Sequence, residues 1–281
     1  MGEVSAEIEK LIAGRWIAGA KIDDAIKKSR ALNRSKIRTQ INYLGELFME
    51  KADVNDAVNT YLKLVNKIDR STDSDIALKA TQLGLLMGKK FAASMYGRVV
   101  EQARKKKIFV WLDMEEQEHI DDTIDIYYTQ LRNAGVGLCI QSYLKRSEND
   151  IRELVGRGAV IRLVKGAHSN PKNRVYLQRP EATRNYAKLM QYLFANSERF
   201  MIGTHDDRLI EKARLLNKRY RRIVEYGMLN GIRQSYALKL ADAGERVNIY
   251  VPFGPRWIDY SYRRLKEASN LKLIVRSLIQ K

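Results

Sequence analysis

The 281-residue chain has a single cysteine, Cys139, so no internal disulfide framework can form, and no CxxC or Cys/His cluster offers to hold a structural metal. A reducing, cytoplasmic setting is expected. The three histidines, His119, His168 and His205, lie far apart without metal spacing, and no HExxH occurs, so no metal site is expected either. Proline is nearly as scarce: Pro171, Pro180, Pro252 and Pro255 are all four, and no Ser/Gly-rich stretch offers a linker at which to divide the chain. No apolar run approaches the roughly 18 residues of a membrane span. The longest clear ones, such as 108–112, suit a buried strand. The amino terminus places Glu3, Glu7 and Glu9 ahead of a short apolar patch broken by Arg15, the wrong order for a secretory signal. Glycine-rich phosphate cradles of the forms GxGxxG and GxxxxGK(S/T) are missing, which speaks against a Rossmann site or a P-loop.

Acidic residues are the last shortage. Against 51 Lys+Arg stand 33 Asp+Glu, a formal net charge of +18. That excess raises nucleic acid or anionic lipid as a partner, with a solvated basic surface as the plainer reading. Apolar residues make up 45%, enough to bury a sizeable core, so a disordered chain is excluded.

What the chain does contain is a recurring unit. Eight short runs rich in β-branched and aromatic residues occupy 37–43, 76–79, 108–113, 136–141, 160–164, 200–204, 223–226 and 247–251. Each start follows the last by the distance one crossover helix and its loops need. Most runs are apolar along their length, as parallel strands covered on both faces must be. Between them lie helical patterns such as 55–68, with Ala57, Tyr61, Leu64, Val65 and Ile68 on one face, and 182–194, with Tyr186, Leu189, Met190 and Leu193. Eight such units predict a (β/α)8 TIM-like barrel with N-terminal helices: residues 1–35, anchored by Trp16 and Ile22, as a helical cap, and residues 36–281 as the catalytic barrel.

In such a barrel the chemistry sits at the carboxyl ends of the strands. That filter selects Lys79, Asp113, Gln141, Arg162, Lys165, Thr204, His205, Asp206, Glu225 and Tyr250. Beyond the last strand, Tyr260 and Arg263 or Arg264 fall three to four positions apart on one helical face. Paired guanidinium groups beside aromatic rings suit a carboxylate, because each fork donates two parallel hydrogen bonds.

Several stretches then carry a resemblance: INYLGE at 41–46, IALKATQLG at 76–84, FVWLDMEE at 109–116, CIQSYLKR at 139–146, IRLVKGA at 161–167, GTHD at 203–206, EYGMLNGIR at 225–233, and YVPFG from Tyr250 with the W, Y and RRL that follow. In this order over nearly the whole chain, they resemble the proline dehydrogenases, flavoenzymes built on a (β/α)8 barrel. The resemblance implies oxidation of L-proline to Δ1-pyrroline-5-carboxylate, with hydride passing from C5 of the ring to N5 of FAD. It implies that Lys79, Arg263 and Arg264 bind the substrate carboxylate, with Tyr250 and Tyr260 walling the ring. Asp113 would hold Lys79, and Arg162 would lie near the flavin N5. Met114, Gln141, Lys165, Gly166, Ala167, Thr204 and His205 match positions that contact FAD. The chain departs from the family at His168, where a Tyr is usual, and at Ser142 in the family's QAY. No second domain for oxidising the product is expected.

The resemblance leaves a quinone or another electron acceptor to be identified. Two other readings of the residues stay open: a Schiff-base lyase or aldolase using Lys79 or Lys165, and a non-enzymatic basic module. Against the second, Lys105 to Lys107, Arg157, Arg199, Lys218, Arg219, Arg221, Arg222 and Arg246 all precede strands, at the barrel end opposite the chemistry. With Tyr220 the one ring inside a basic run, nucleic acid is not the expected partner. An acidic partner subunit or an anionic membrane surface, met peripherally at its inner face, remains open for that end.

Overall fold

The computed structural model describes residues 16–132, 135–166 and 171–257. Its strands are β1 (Arg38–Tyr43), β2 (Ser74–Lys79), β3 (Val110–Asp113), β4 (Val136–Gln141), β5 (Val160–Val164), β6 (Arg199–Gly203), β7 (Ile223–Leu229) and β8 (Arg246–Phe253). They pair in sequence order, all parallel, and close into a barrel where β1 meets β8, from Arg38 beside Asn248 to Tyr43 beside Phe253. The helices are α1 (Ile22–Asn33), α2 (Lys51–Lys67), α3 (Lys89–Lys105), α4 (Ile120–Tyr128), α5 (Ser147–Gly156), α6 (Arg179–Asn196), α7 (Asp207–Tyr220) and α8 (Gln234–Asp242). The expected (β/α)8 barrel is the fold found.

Two separate cores follow from the strand pleat, which sends alternate side chains to opposite faces. Outside the barrel, Ile41, Ile76, Leu78 and Val110 pack against helix stripes such as Tyr61, Leu64 and Val65 of α2 and Tyr186, Leu189 and Met190 of α6. Inside, Ala77, Phe109, Trp111 and Met201 form a smaller cluster with Val160 and Tyr250. The apolar runs locate all eight strands, but β2 and β8 begin earlier than those runs, and β7 and β8 end later. The residues added at the amino-terminal ends of β2 and β8, Ser74, Asp75 and Arg246, are polar, and Ser74 and Asp75 are buried because neighbouring strands supply partners. Thr39 and Ser74 share a short hydroxyl contact, and Asp75 accepts from Arg38 at 2.8 Å.

The amino-terminal segment crosses the wall of the barrel. Ala18 N donates to Pro252 O at 2.9 Å, and Gly254 N donates to Gly19 O at 3.0 Å, both beside the carboxyl end of β8. From there α1 packs along β8 and β1, and Asn33 at its end donates to Ile37 O at 2.9 Å, just before β1 begins. Trp16 and Ile17 are buried with Leu44 and Ile232, against Leu229 and Trp257.

Candidate functional site

Arg162 projects from β5 into the barrel and is buried there. One terminal nitrogen donates to Asp113 of β3 and the other to Gln40 of β1, both in short contacts. Tyr250 of β8 donates from Oη to the second oxygen of Asp113 at 2.8 Å. The rings of Trp111 and Tyr250 flank the guanidinium, 5.4 and 5.8 Å from its carbon. Burial is the largest influence on Arg162 and opposes its charge, but Asp113, Cys139 and Tyr250 together outweigh it and hold the pKa above the usual arginine value. The Cys139 thiol of β4 lies beside this cation, and burial pushes its pKa up.

Lys79 ends β2 in register with Asp113, yet the two are not a pair. Asp113 gives one oxygen to Arg162 and the other to Tyr250, while Lys79 Nζ lies 3.3 Å from Glu46 Oε2 in the loop after β1. The expectation that Asp113 holds Lys79 is therefore corrected. A bidentate-capable guanidinium already buried beside Asp113 is the stronger partner, and a carboxylate from another loop meets the lysine. A second buried carboxylate, Glu115, accepts from Thr81 N at 2.7 Å and from its hydroxyl, and so anchors the loop that follows Lys79. Burial raises the Glu115 pKa, with Lys79 and Thr81 partly offsetting it.

Gln141 closes β4 and donates to Glu115 O at 2.8 Å. Among the described residues, neither its Oε1 nor the Nε of Arg162 has a hydrogen-bond partner, though both are buried. Next to Gln141 is Gly166, in the left-handed region at φ +103°, where a β-carbon would come within 2.1 Å of Tyr143 and 3.1 Å of Gln141 Oε1. Met114 and Thr204 are buried at the same end. Lys165 Nζ lies 2.8 Å from Asp206, whose other oxygen caps α7 by accepting from Arg208 N at 3.1 Å. Burial works against the Asp206 charge, but Lys165 and the helix amides outweigh it and lower the pKa. His205 Nε2 accepts from Leu229 N at 3.2 Å, and the His205 carbonyl accepts from Arg233, which also pairs with Asp207 at 2.6 Å.

Of the expected site residues, Lys79, Asp113, Met114, Gln141, Lys165, Gly166, Thr204 and His205 gather at the carboxyl end of the barrel, and Arg162 and Tyr250, further back on β5 and β8, join them through Asp113. Ala167, His168, Tyr260, Arg263 and Arg264 lie outside the described residues. Glu225 is corrected. Because β7 runs on to Leu229, Glu225 sits near its start, accepting from Arg38 at 3.1 Å, Arg199 at 2.9 Å and Asn248 at 2.8 Å. Arg199 and Arg222 likewise leave the surface set: Arg199 stacks on Phe109 at 4.3 Å, and Arg222 donates to Phe194 O at 3.0 Å in the last turn of α6. Three functional candidates were not singled out in the sequence: Gln40, Glu46 and Glu115. Glu46 and Glu115 lay inside the motif stretches; Gln40, one residue before INYLGE, carried no local signal.

The sequence matches the family model described as Proline dehydrogenase over residues 25–276. It is 29% identical to proline dehydrogenase 1 of Bacillus subtilis subsp. natto over 97% of this chain and 92% of that one. It is also 29% identical to the proline dehydrogenase of Deinococcus radiodurans, over 96% of this chain and 90% of that one. Among solved structures it is similar to proline utilization A from Bdellovibrio bacteriovorus inactivated by N-propargylglycine, with a TM-score of 0.82 at 22% identity. That likeness speaks for the fold, and it covers 95% of this chain but only 35% of the longer protein.

Proposed function

The chain belongs to the proline dehydrogenase family, and from that membership we infer an oxidoreductase that oxidises L-proline as the first step of proline catabolism. The observation that carries the reading at the level of residues is the Arg162–Asp113–Tyr250 constellation, a buried ion pair joined by a partly buried tyrosine. It holds a cation, a carboxylate and a ring in fixed relation at the end of the barrel where catalysis is housed.

The residues suit FAD. Arg162 Nε offers a buried donor and Gln141 Oε1 a buried acceptor, each without a partner among the described residues, and Gly166, lacking a β-carbon, lets the Tyr143 ring pack close to the backbone beside Gln141 Oε1. Arg162, Gln141, Met114, Lys165, Gly166, Ala167, Thr204 and His205 would hold it. When bound, the flavin supplies the acceptor for the hydride that leaves C5 of proline. The protein's own share is orientation and charge. Lys79, with Arg263 and Arg264, would meet the substrate carboxylate, because an anion enters a closed site only if charge-assisted hydrogen bonds replace its water. Tyr250 and Tyr260 would wall the pyrrolidine ring, and the bond from Tyr250 to Asp113 fixes where the first of these walls stands. The product is Δ1-pyrroline-5-carboxylate once the nitrogen has lost its proton.

A Schiff-base lyase or aldolase is not favoured. Both lysines it would use are engaged by carboxylates, Lys79 by Glu46 and Lys165 by Asp206. The deciding experiment is the visible spectrum of purified, FAD-loaded protein under anaerobic conditions. A flavin band bleached by proline supports the reading. A colourless protein that takes up no FAD, or a band that proline leaves unchanged, refutes it.

The electron acceptor in this reading is a quinone or another oxidant of similar potential. No described helix is long and apolar enough to cross a membrane. Lys106, Lys107, Arg157, Lys218, Arg219, Arg221 and Arg246 are exposed before their strands, opposite the site. We assign that face to solubility or to docking on an acidic subunit or anionic lipid. Binding to vesicles that rises with anionic lipid and falls with salt would identify lipid.

A further inference from the structure

We propose that Gln40 is a positioning residue for Arg162, a neutral clamp that sets the plane of the guanidinium and so the direction of its remaining donor. The proposal rests on Arg162 serving the flavin as described above.

Gln40 stands on β1, across the barrel from β5, and is buried. Its Oε1 accepts from one terminal nitrogen of Arg162, and its Nε2 donates to Met201 Sδ at 3.1 Å. Those two contacts fix the amide, since turning it over would set its NH2 group against a guanidinium that has only hydrogens to offer. Asp113 takes the other terminal nitrogen. With both ends of the fork held in the plane and the Trp111 and Tyr250 rings flanking it, the guanidinium has no rotation left that keeps its bonds. Trp111 is itself held, donating from Nε1 to Asp75 Oδ2 at 3.1 Å. What stays available is the buried Nε–H, unpartnered among the described residues.

The chemistry explains why residue 40 is an amide. A second carboxylate would outweigh the single charge of Arg162 and leave a net negative pair, opposing the arrival of negative charge on a flavin. An apolar side chain would orphan a buried terminal N–H and let the fork swing toward Asp113. Glutamine alone among side chains of this length accepts from the cation, donates to the sulfur and adds no charge.

The test uses the full-length FAD-loaded protein and two variants. In Gln40→Met, of similar volume but without the acceptor, flavin reduction by proline slows about tenfold while KM for proline changes less than about twofold. In Gln40→Glu, which still accepts from Arg162, the flavin midpoint potential moves to more negative values while thermal stability and FAD affinity stay near wild type. Should Gln40→Met not fold, the potential of Gln40→Glu still decides. Wild-type reduction rate with Gln40→Met together with an unmoved potential in Gln40→Glu would make Gln40 mere core filling, and a change confined to KM would make it a substrate contact; either overturns the proposal. Wild-type protein that is not bleached by proline overturns the functional reading instead, and the two failures are thereby told apart.

Discussion

Lys79 Nζ lies 3.3 Å from Glu46 Oε2, two partly covered groups at the mouth of the barrel, one at the end of β2 and the other in the loop after β1. A ligand carboxylate that reaches Lys79 must therefore replace or join an existing carboxylate, which ties substrate entry to the loop after β1. Replacing Lys79 with Met removes the cation and keeps most of the volume. A hydrogen bond to a charged group is worth about 1.5–3 kcal/mol, so kcat/KM for proline falls about 10- to 100-fold, mainly through KM. Steady-state kinetics with proline checks it, and an unchanged KM would remove Lys79 from the carboxylate site.

Arg162→Lys keeps the charge but loses the fork. A single ammonium cannot fill the positions of both terminal nitrogens, which here serve Asp113 and Gln40. The expected result is a loss of more than about tenfold in the rate of flavin reduction, with weaker FAD retention on gel filtration.

Gly166→Ala combines two faults, a left-handed backbone at φ +103° and a β-carbon 2.1 Å from the Tyr143 ring. Strain of this kind costs about 1–3 kcal/mol. The thermal midpoint should fall, and FAD loading should fall further than the lost stability explains, because Gln141 Oε1 is the other atom crowded.

Asp75, beneath the Trp111 ring that flanks Arg162, predicts a pH dependence of stability. Burial pushes its pKa up to about 6 from an ordinary 3.8, against the pull of Arg38 and with the help of Glu225. The folded protein thus holds this proton more tightly than the unfolded chain does. The associated stability is complete below pH 3.8 and is lost as pH rises through about 6. Relative to Asp75→Asn, which cannot titrate, the wild type should lose roughly 2–3 kcal/mol of unfolding free energy between pH 4 and 7. Urea unfolding of both proteins across that range measures it, and parallel curves would refute it.

The barrel was legible because its strands and helix stripes are written in local apolar pattern. The run 136–141 reads as a buried strand, and β4 occupies those residues with all of them buried. Tyr61, Leu64 and Val65 recur at helical spacing and do face the core. The polar ends of strands were not legible in this way. Asp75 and Arg38 have no apolar signal, and their place in β2 and β1 is stabilised by each other, 37 positions apart.

The same division runs through the site. Strand-end position selected Lys79, Asp113 and Gln141 without help from the fold, since topology puts such ends on one side of the barrel, but it also selected Glu225, which stands near the start of β7. Partner choice was another matter. Closure of β1 onto β8 brings Gln40 within reach of Arg162, 122 positions along the chain, and sets Tyr250 on Asp113, 137 positions away. Local residue order settles which side chains stand at the mouth, because it governs strand length and pleat. Only the closed barrel decides which of them touch, because hydrogen bonds and ion pairs act over a few ångströms between strands that the chain alone leaves far apart.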